Sequence, residues 1–578
     1  MASLQPQTGT LGKRLAKHLL RRATFRVTKA RIDQFANMTA DAAVNDLFNF
    51  TVNSPVLTLA EPKDPATGQP WINSGTQGNT GDFRLRDYVR GWWLNEALND
   101  PTARHKMMFF LHGIFCIHSD MRTSQELFDY LALLRHCAKG SYKTLAYKMT
   151  LDNFMLDYLD NEANTRWNPN ENYAREFLEL FTIGKGPQIG PGDYTNYQEQ
   201  DVLQGAKLLT GWRRSKRAPN TLSNDWYETV TDPDTGLPSG YADYHRHEKS
   251  DKTFSSAFQN MVIPTADAGE SATDRDMYDE LQDYVDMIFD QDATAVTIVR
   301  KIYIHFVSRD ITTEIENDIL TPLAATLRNN DYDLEPVMKQ LFKSQHFFGT
   351  DDNNATDDIL GRIIKSPLEQ TMQVLSFFNV GIPGTSTNAD LDDHYNEFWR
   401  RSIIEVATTY AGMEVFRPTS VAGYPAYFQE PQFHRNWFSS STIVARYKLP
   451  EMLVKNRRLI SWGDFHGTFD VVTFLQGFMN SNDILQPGKV VEQLIEYLFV
   501  EGYSYSMDGN YLHASTDDRF RYFYNVLMDG GPGGQSLPDF DWTEDWIHYL
   551  QSGDDTNVRT PLERLFMALL YSHEWQCM

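Results

Sequence analysis

One segment of the chain sets two carboxylates and an amide beside an apolar helical face. It reads Asn168-Pro-Asn-Glu-Asn-Tyr-Ala-Arg-Glu-Phe-Leu-Glu-Leu-Phe-Thr-Ile-Gly184. At about 100° per residue, Asn172, Glu176 and Glu179 lie on one flank of the stripe that its aromatic residues form. Such a flank costs free energy unless its polar groups are paired, hydrated or bound to an ion. The pattern therefore predicts either a chemical site or a structural network of ion pairs.

The ends of this helix also have sequence signals. Asn168 is a suitable N-cap, Pro169 suits the first helical position, and Gly184 suits the end. Glu171 can complete a capping box, and it stands four residues before Arg175, which is the spacing of a helical ion pair. We therefore predict one helix between these ends, with the Glu171–Arg175 pair at its surface.

Five side chains form a candidate metal site. Carboxylate and imidazole groups are suitable ligands for Zn, Mn or Fe, and two glutamates three residues apart on a helix can reach one ion. The candidate ligands are His112, Glu176, Glu179, His247 and Glu248. In a catalytic site, these roles would divide between two sets of residues. The ion would be held or water activated by Glu176, Glu179, His112 and His247, and an anionic substrate would be steadied by Arg175 or Lys252.

Each of these groups also has a structural interpretation. The two glutamates can pair with arginines such as Arg135 or Arg213. His112 lies in an apolar run and fits a satisfied core histidine, whereas His247 lies in a polar segment that fits a surface loop. The residues alone leave both interpretations open.

A second candidate site lies in the proline-rich stretch 424–438. Aromatic rings beside amide and cationic groups can stack on sugars or receive an apolar group of a partner protein. The candidate binding residues are Tyr427, Phe428, His434, Arg435 and Trp437. The alternative is a proline-braced loop whose rings pack onto the helical body, and the sequence favours neither interpretation.

The hydrophobic periodicity predicts a mainly α fold. Apolar residues recur at helical spacing through most of the chain, and clusters of Pro, Gly and Asn separate the helices. We predict a multi-helix globular body with long irregular, aromatic-rich loops and either irregular structure or a short β-ribbon after residue 212. The predicted regions, which could also form one continuous domain, are N-terminal helical 1–212, irregular polar 213–270, central helical 271–455 and C-terminal helical 456–578.

Composition and missing motifs argue against several classes of protein. The chain has 578 residues, of which 41% are hydrophobic and 13% aromatic, as expected of a folded protein. Its formal net charge of -24 argues against a nucleic-acid binder and against docking to anionic lipid. No G-x-G-x-x-G, Walker A, H-E-x-x-H or G-x-S-x-G pattern occurs, which removes the commonest nucleotide-binding and hydrolase classes.

The cysteines and the N-terminus give weaker constraints. Cys116, Cys137 and Cys577 form no C-x-x-C pair, so no zinc ribbon is encoded, and a disulfide among them cannot be assigned. No apolar stretch is long enough to span a membrane. The first residues lack the apolar region of a signal peptide, so either the protein is cytoplasmic or the chain begins after a removed signal.

Blocks from both ends of the chain resemble the bacterial family known as domain of unknown function 1800. His18-Leu-Leu-Arg-Arg-Ala-Thr-Phe25 resembles its opening signature, and Pro169–Thr182 resembles its strongest block. The other similar blocks are Tyr194-Thr195 with Asp201-Val202, Leu209-Thr-Gly-Trp212, Lys365-Ser-Pro-Leu368, Arg417-Pro-Thr-Ser-Val-Ala-Gly-Tyr424 and Ser572-His-Glu-Trp-Gln576. The resemblance thus covers nearly the whole chain.

The resemblance implies an exported protein in the periplasm, at the cell surface or outside the cell. It also implies a partner protein that resembles sulfatases and alkaline phosphatases. The chain departs from the common Trp-His-Asn-His-Phe block of the family, because it reads Leu111-His-Gly-Ile-Phe115 and Ile114 replaces one histidine. His247-Glu248 with Lys252 is similar to the His-Asp…Lys block. A metal site built on the paired histidines would be weakened here.

We therefore expect an exported or cell-envelope helical protein that acts through a partner protein or a surface glycan. The runner-up prediction is a metal-assisted hydrolase, whose Glu/His cluster would hold a divalent cofactor such as Zn, Mn or Fe.

Overall fold

Helices account for most of the chain, as the apolar periodicity predicts, and the mainly α fold class is confirmed. The computed structural model describes residues 2–52, 59–75, 78–217, 228–265, 273–351, 359–455, 466–508, 511–529 and 541–578. One connected apolar core runs through these ranges from Leu11 to Trp575. No helix in the described ranges is both long and apolar enough to cross a bilayer. The boundaries of the four predicted regions stay a prediction.

The α-helices of the first half surround the Asn-Glu-Asn segment. They are α1 Gly12–Ala23, α2 Lys29–Ala36, α3 Ala40–Leu47, α4 Asp82–Asn99, α5 Arg104–His112, α6 Ser124–His136, α7 Tyr142–Thr150, α8 Asn153–Tyr158, α9 Asn172–Glu176, α10 Glu199–Leu208, α11 Asp274–Phe289 and α12 Asp292–Phe306.

The α-helices of the second half include the short helix of the proline-rich stretch. They are α13 Thr313–Ile315, α14 Thr321–Asn329, α15 Leu334–Lys343, α16 Pro367–Phe377, α17 Asn388–Asp392, α18 Pro425–Phe428, α19 Ser440–Lys455, α20 Val471–Phe478, α21 Pro487–Leu498, α22 Asp518–Met528, α23 Trp542–Ser552, α24 Thr556–Tyr571 and α25 His573–Gln576.

Tighter and wider helical turns join these elements. The π-helical segments are Phe177–Phe181, Glu316–Leu320 and Asp393–Thr409, and the 3₁₀ turns are Asn161–Ala163, Tyr244–Arg246, Ser256–Phe258 and Phe433–Trp437.

The strands form antiparallel pairs only. These pairs are β1 Gln188–Gly190 with β2 Asp193–Tyr194, β3 Trp212–Arg213 with β4 Tyr241–Ala242, β5 Lys252–Thr253 with β6 Val262–Ile263, and β7 Met507–Asp508 with β8 Tyr511–Leu512. The short β-ribbon expected after residue 212 is therefore present.

Helix α1 holds the end of α21 through buried cations. Lys17 donates to the Glu496 carbonyl and, at 2.6 Å, to the Phe499 carbonyl. Arg21 donates to the carbonyls of Tyr497 and Leu498 at 2.9 and 2.7 Å. The last carbonyls of a helix have no partner within the helix and carry partial negative charge. The basic first motif is therefore a cap for a distant helix.

The C-terminal residues are fixed in the same way. Arg22 donates to the Met578 carbonyl at 2.7 Å, and Lys365 donates to the Trp575 carbonyl at 2.6 Å. Arg446 donates through Nε to the Gln576 side-chain oxygen at 2.8 Å. Three motifs far apart in sequence thus meet around one buried tail.

We expect Arg21→Met to lower the free energy of unfolding by about 2–5 kcal/mol, because two buried carbonyls lose their donor. Urea denaturation followed by circular dichroism measures this change. Arg14→Met on the same helix is the control, since Arg14 forms only an exposed ion pair with Glu501 and its loss should cost less than about 1 kcal/mol. Equal midpoints for the two variants would contradict the capping role.

Candidate functional site

The Asn-Glu-Asn helix is shorter than predicted and changes geometry midway. α9 ends at Glu176, and residues 177–181 continue it with π geometry. Its end is as predicted, because Gly184 has φ of +70° and donates its N–H to the Leu178 carbonyl at 2.9 Å. A π segment interrupts the regular α pattern and is frequent at functional sites. The interruption lies within the segment that carries Glu176 and Glu179.

The predicted start of this helix is wrong. The Asn168 N–H donates to the Thr165 carbonyl at 2.9 Å, so Asn168 belongs to a preceding turn and not to the cap. Asn170 takes the role, because its side-chain oxygen accepts the Asn172 N–H at 2.9 Å. Asn170 competes well for this position because asparagine readily bonds the backbone two residues on.

Arg175 is engaged by two carboxylates at the protein surface. The predicted ion pair with Glu171 is present at 2.9 Å, and Glu199 adds contacts of 2.6 and 3.0 Å. The hydrogen bonds to Glu199 raise the pKa of Arg175 further above its already high usual value. The guanidinium proposed to steady an anionic substrate thus already has two anionic partners.

The two glutamates have different surroundings. Glu179 forms an ion pair with Lys185 and accepts the Tyr197 hydroxyl at 3.3 Å. Glu176 is half-buried and makes no hydrogen bond or ion pair to any residue in the described ranges. Burial and then the neighbouring Glu179 raise the pKa of the Glu176 carboxyl. Neither glutamate pairs with Arg135 or Arg213, which the sequence suggested. The cation that pairs with Glu179 is Lys185.

His112 lies fully inside the core. Its Nδ1 is 2.9 Å from the Tyr130 hydroxyl, which in turn donates to the Phe115 carbonyl at 2.7 Å. Because that hydroxyl proton is used, the His112 Nδ1 carries the proton and donates to the hydroxyl oxygen. Burial lowers the pKa of His112 to about 3. The surroundings match the core interpretation of this histidine.

His247 belongs to a second, separate buried cluster. Its Nδ1 is 2.8 Å from the Thr210 carbonyl and its Nε2 is 3.1 Å from Glu280 Oε1. Lys252 donates to Glu280 Oε2 at 2.6 Å and to the backbone carbonyl of Glu248 at 2.8 Å. Burial lowers the pKa of Lys252, although Glu280 opposes this. Tyr244–Arg246 form a 3₁₀ turn before His247, and the side chain of His247 is buried, so the surface-loop interpretation of this histidine is wrong.

The five predicted metal ligands therefore lie in three settings. The glutamates share one surface, His112 is in the core, and His247 with Glu248 is beside Glu280. Across the described ranges, no group of three or more His, Cys, Asp or Glu side chains is placed to hold a metal ion. The sequence analysis did not identify Glu280, because nothing near it in its helix indicates that its carboxylate bonds His247 and Lys252.

The cysteines are free and two of them are buried. Cys116 and Cys137 lie inside, and burial raises the pKa of each thiol to about 12. Cys116 donates its thiol to the Val421 carbonyl at 2.7 Å. It thus ties the segment after α5 to the stretch that precedes the predicted aromatic site.

The proline-rich stretch 424–438 divides into buried and exposed groups. Trp437 is buried, whereas Phe428 is 42% exposed and Arg435 is exposed. His434 accepts the Ile364 N–H at 3.2 Å, and burial lowers its pKa to about 4. The buried residues of the stretch therefore brace the core, whereas Phe428 and Arg435 face outward, and the binding role of the stretch stays a prediction.

A cleft of about 110 Å³ opens between this stretch and α12. Phe110, Ile114 and Leu180 form apolar walls, and Phe428 closes one side while remaining partly exposed. Ile114 is the residue that replaces a histidine of the resembled family block. Two predicted binding residues, Tyr427 and Phe428, thus line an actual cavity.

Lys301 and His305 supply the polar side of the cleft together with Tyr427. They lie four residues apart on α12 and so share one helical face. Sequence analysis missed Lys301 and His305 because they lie in an apolar run that has no recognisable motif. Their spacing was the only available signal.

Two glycines set the approach of the walls. Gly423 has φ of +92°, and a Cβ added there would lie 2.8 Å from the Gly113 carbonyl oxygen. This distance is too short for a side-chain carbon, so the backbones at Gly423 and Gly113 can come this close only because residue 423 is glycine. This contact explains why the Arg417–Tyr424 block ends in Gly-Tyr.

The comparisons agree with the motifs. A family described as protein of unknown function (DUF1800) matches residues 18–521. Since this match covers most of the chain, the protein belongs to the DUF1800 family. No curated protein and no solved structure matches it.

We expect Glu280→Gln to lower the free energy of unfolding by about 3–5 kcal/mol, because it leaves the buried Lys252 ammonium without its counter-charge. Urea denaturation gives this difference. Glu248→Gln is the matched control, since its contacts in this cluster are made by the backbone. A Glu280→Gln protein as stable as the control would show that the cluster is not structural.

Proposed function

We propose that the protein is an exported or cell-envelope binding protein that holds a surface glycan at the mouth of the cleft, beside Phe428. The observation that supports this proposal is a cavity between α12 and the proline-rich stretch, which has both exposed and buried aromatic rings. Small-molecule sites are typically concave and mostly apolar, with a few polar groups that fix orientation. The cleft has this composition.

A second groove is formed by the same stretch together with α12 and the residues that follow it. A cavity of about 430 Å³ is lined by Arg300, Arg309, Pro431 and Phe433, farther along the same stretch and α12. Arg309 donates to the Pro431 and Gln432 carbonyls at 3.3 Å and thereby fixes the stretch to the end of α12. A chain of sugars longer than the cleft could continue along this groove.

The chemistry of the lining favours sugar. The apolar faces of sugar rings pack on aromatic side chains, while their hydroxyls need nearby donors and acceptors. Phe428 offers such a face, and Lys301, His305 and Tyr427 supply polar groups in the lining. The net charge of -24 gives no general attraction to nucleic acid or anionic lipid, so recognition must come from local groups.

Export and a sulfatase- or phosphatase-like partner are part of the same proposal. Their support is the resemblance to the family alone. The metal-assisted hydrolase is the runner-up, and it has weaker support because His112 and His247 each bond partners of their own, away from Glu176. We therefore place binding ahead of catalysis.

We expect Phe428→Ala to weaken glycan binding about tenfold, which corresponds to about 1.4 kcal/mol. The truncation removes an exposed ring, so the fold should persist. Binding of fluorescently labelled protein to a glycan microarray and to envelope polysaccharide measures the change. Phe83→Ala is the control, because Phe83 is a comparably exposed ring on α4. Identical binding of both variants would contradict the proposed site.

A further inference from the structure

Lys301 is a half-buried cation that lines the cleft. Its ammonium donates to the Leu180 carbonyl, which belongs to the π segment that continues α9. No carboxylate of the described residues pairs with it. An ammonium has three protons to donate, so Lys301 keeps capacity for a further acceptor on the side of the cleft.

Buried lysines elsewhere in the described residues take their partners from the protein, and Lys365 does so without a carboxylate, through the Trp575 carbonyl and ring. Lys106 pairs with Glu369, Lys252 pairs with Glu280, and Lys17 satisfies several helix-end carbonyls. Lys301 has one carbonyl and a cavity instead. Lys301 therefore differs from these lysines in the open cavity beside it.

The remaining titratable groups around the cleft are neutral at pH 7. Burial lowers the pKa of His305 to about 3 and raises the pKa of the nearby Cys116 thiol to about 12. Burial also raises the pKa of Tyr427 far above its usual value. Burial lowers the pKa of Lys301 to about 8, which leaves it mainly charged at pH 7. Lys301 is thus the charged group among the described lining residues.

The size and polarity of the cavity limit its ligand. An engineered protein cavity of about 150 Å³ holds benzene, so about 110 Å³ admits a carboxylate with only a few carbons. A larger body must remain outside, beside the exposed ring of Phe428. A phosphate dianion fits less well, since one ammonium at the carbonyl end of a helix offers neither a cluster of N–H donors nor a favourable dipole.

We propose that the ammonium of Lys301 binds the carboxylate of an acidic ligand whose apolar neighbouring atoms contact Ile114 and Leu180. This inference deepens the proposed glycan-binding function and rests on it. The carboxylate could belong to an acidic sugar of a glycan or to a free short-chain acid. The two sources share the chemistry of the site and differ in what contacts Phe428.

Isothermal titration calorimetry with three probes tests the inference: methyl glucuronide, methyl glucoside and lactate. We expect the wild-type protein to bind the glucuronide at least tenfold more tightly than the glucoside, and Lys301→Met to lose this preference. Lys143→Met is the matched control, because Lys143 pairs with Asp286 outside the cleft and should keep the preference. Urea midpoints of both variants verify that they fold.

The pH dependence has a defined sign. Binding of the glucuronide should weaken as the pH rises above about 8, since the ammonium then loses its proton. The carboxylate stabilises the charged form, so binding near pH 8 should be accompanied by proton uptake, seen as a heat that depends on the buffer. Lys301→Met should show no such uptake.

The outcomes separate the two proposals. Equal binding of glucuronide and glucoside, or a preference that survives in Lys301→Met, overturns the carboxylate site while leaving glycan binding in place. Lysine-dependent binding of lactate, with neither glycoside bound, supports the carboxylate site and overturns the glycan. Failure of both lactate and glucuronide to bind overturns the inference.

Discussion

Buried cations bonded to backbone carbonyls hold the ends of distant helices together, and the rest of the structure depends on them. Helix α1 alone supplies Lys17, Arg21 and Arg22 to α21 and to the C-terminal tail. A buried guanidinium is costly by itself, but carbonyl groups at a helix end offer oriented partial charge without a second desolvated ion. Long-range order is therefore set by charge–dipole contacts as well as by the apolar core.

This arrangement divides the family-like motifs by role. The motifs around His18, Lys365 and Trp575 meet at the buried tail, where they position the body. The Asn-Glu-Asn segment and the block ending at Tyr424 instead border the cleft, through Leu180 and the glycine contact. Motifs that are equally prominent in the sequence therefore have different structural roles, and their contacts in the fold show which role each has.

Much of the fold could be predicted, because helical periodicity is local. The Glu171–Arg175 pair and the end at Gly184 were accessible for the same reason. The start of α9 could not be predicted, since Asn168 and Asn170 are both suitable N-caps. The candidate site was harder still: Lys301 becomes unusual only when Leu180 and the missing carboxylate are known, and both facts are tertiary. Pattern reasoning finds residue types, whereas burial and pairing decide their chemistry.

The meeting of Gly113 and Gly423 has an evolutionary consequence. A methyl group at Gly423 would meet the Gly113 carbonyl oxygen and push the walls apart, so the width of the cleft can change in one mutational step. Substitutions at outward rings such as Phe428 are gradual by comparison, because each alters one face of the opening. Related proteins could therefore change the ligand contacts at outward rings such as Phe428 gradually. A substitution at Gly423 would instead change the size of the admitted ligand in a single step.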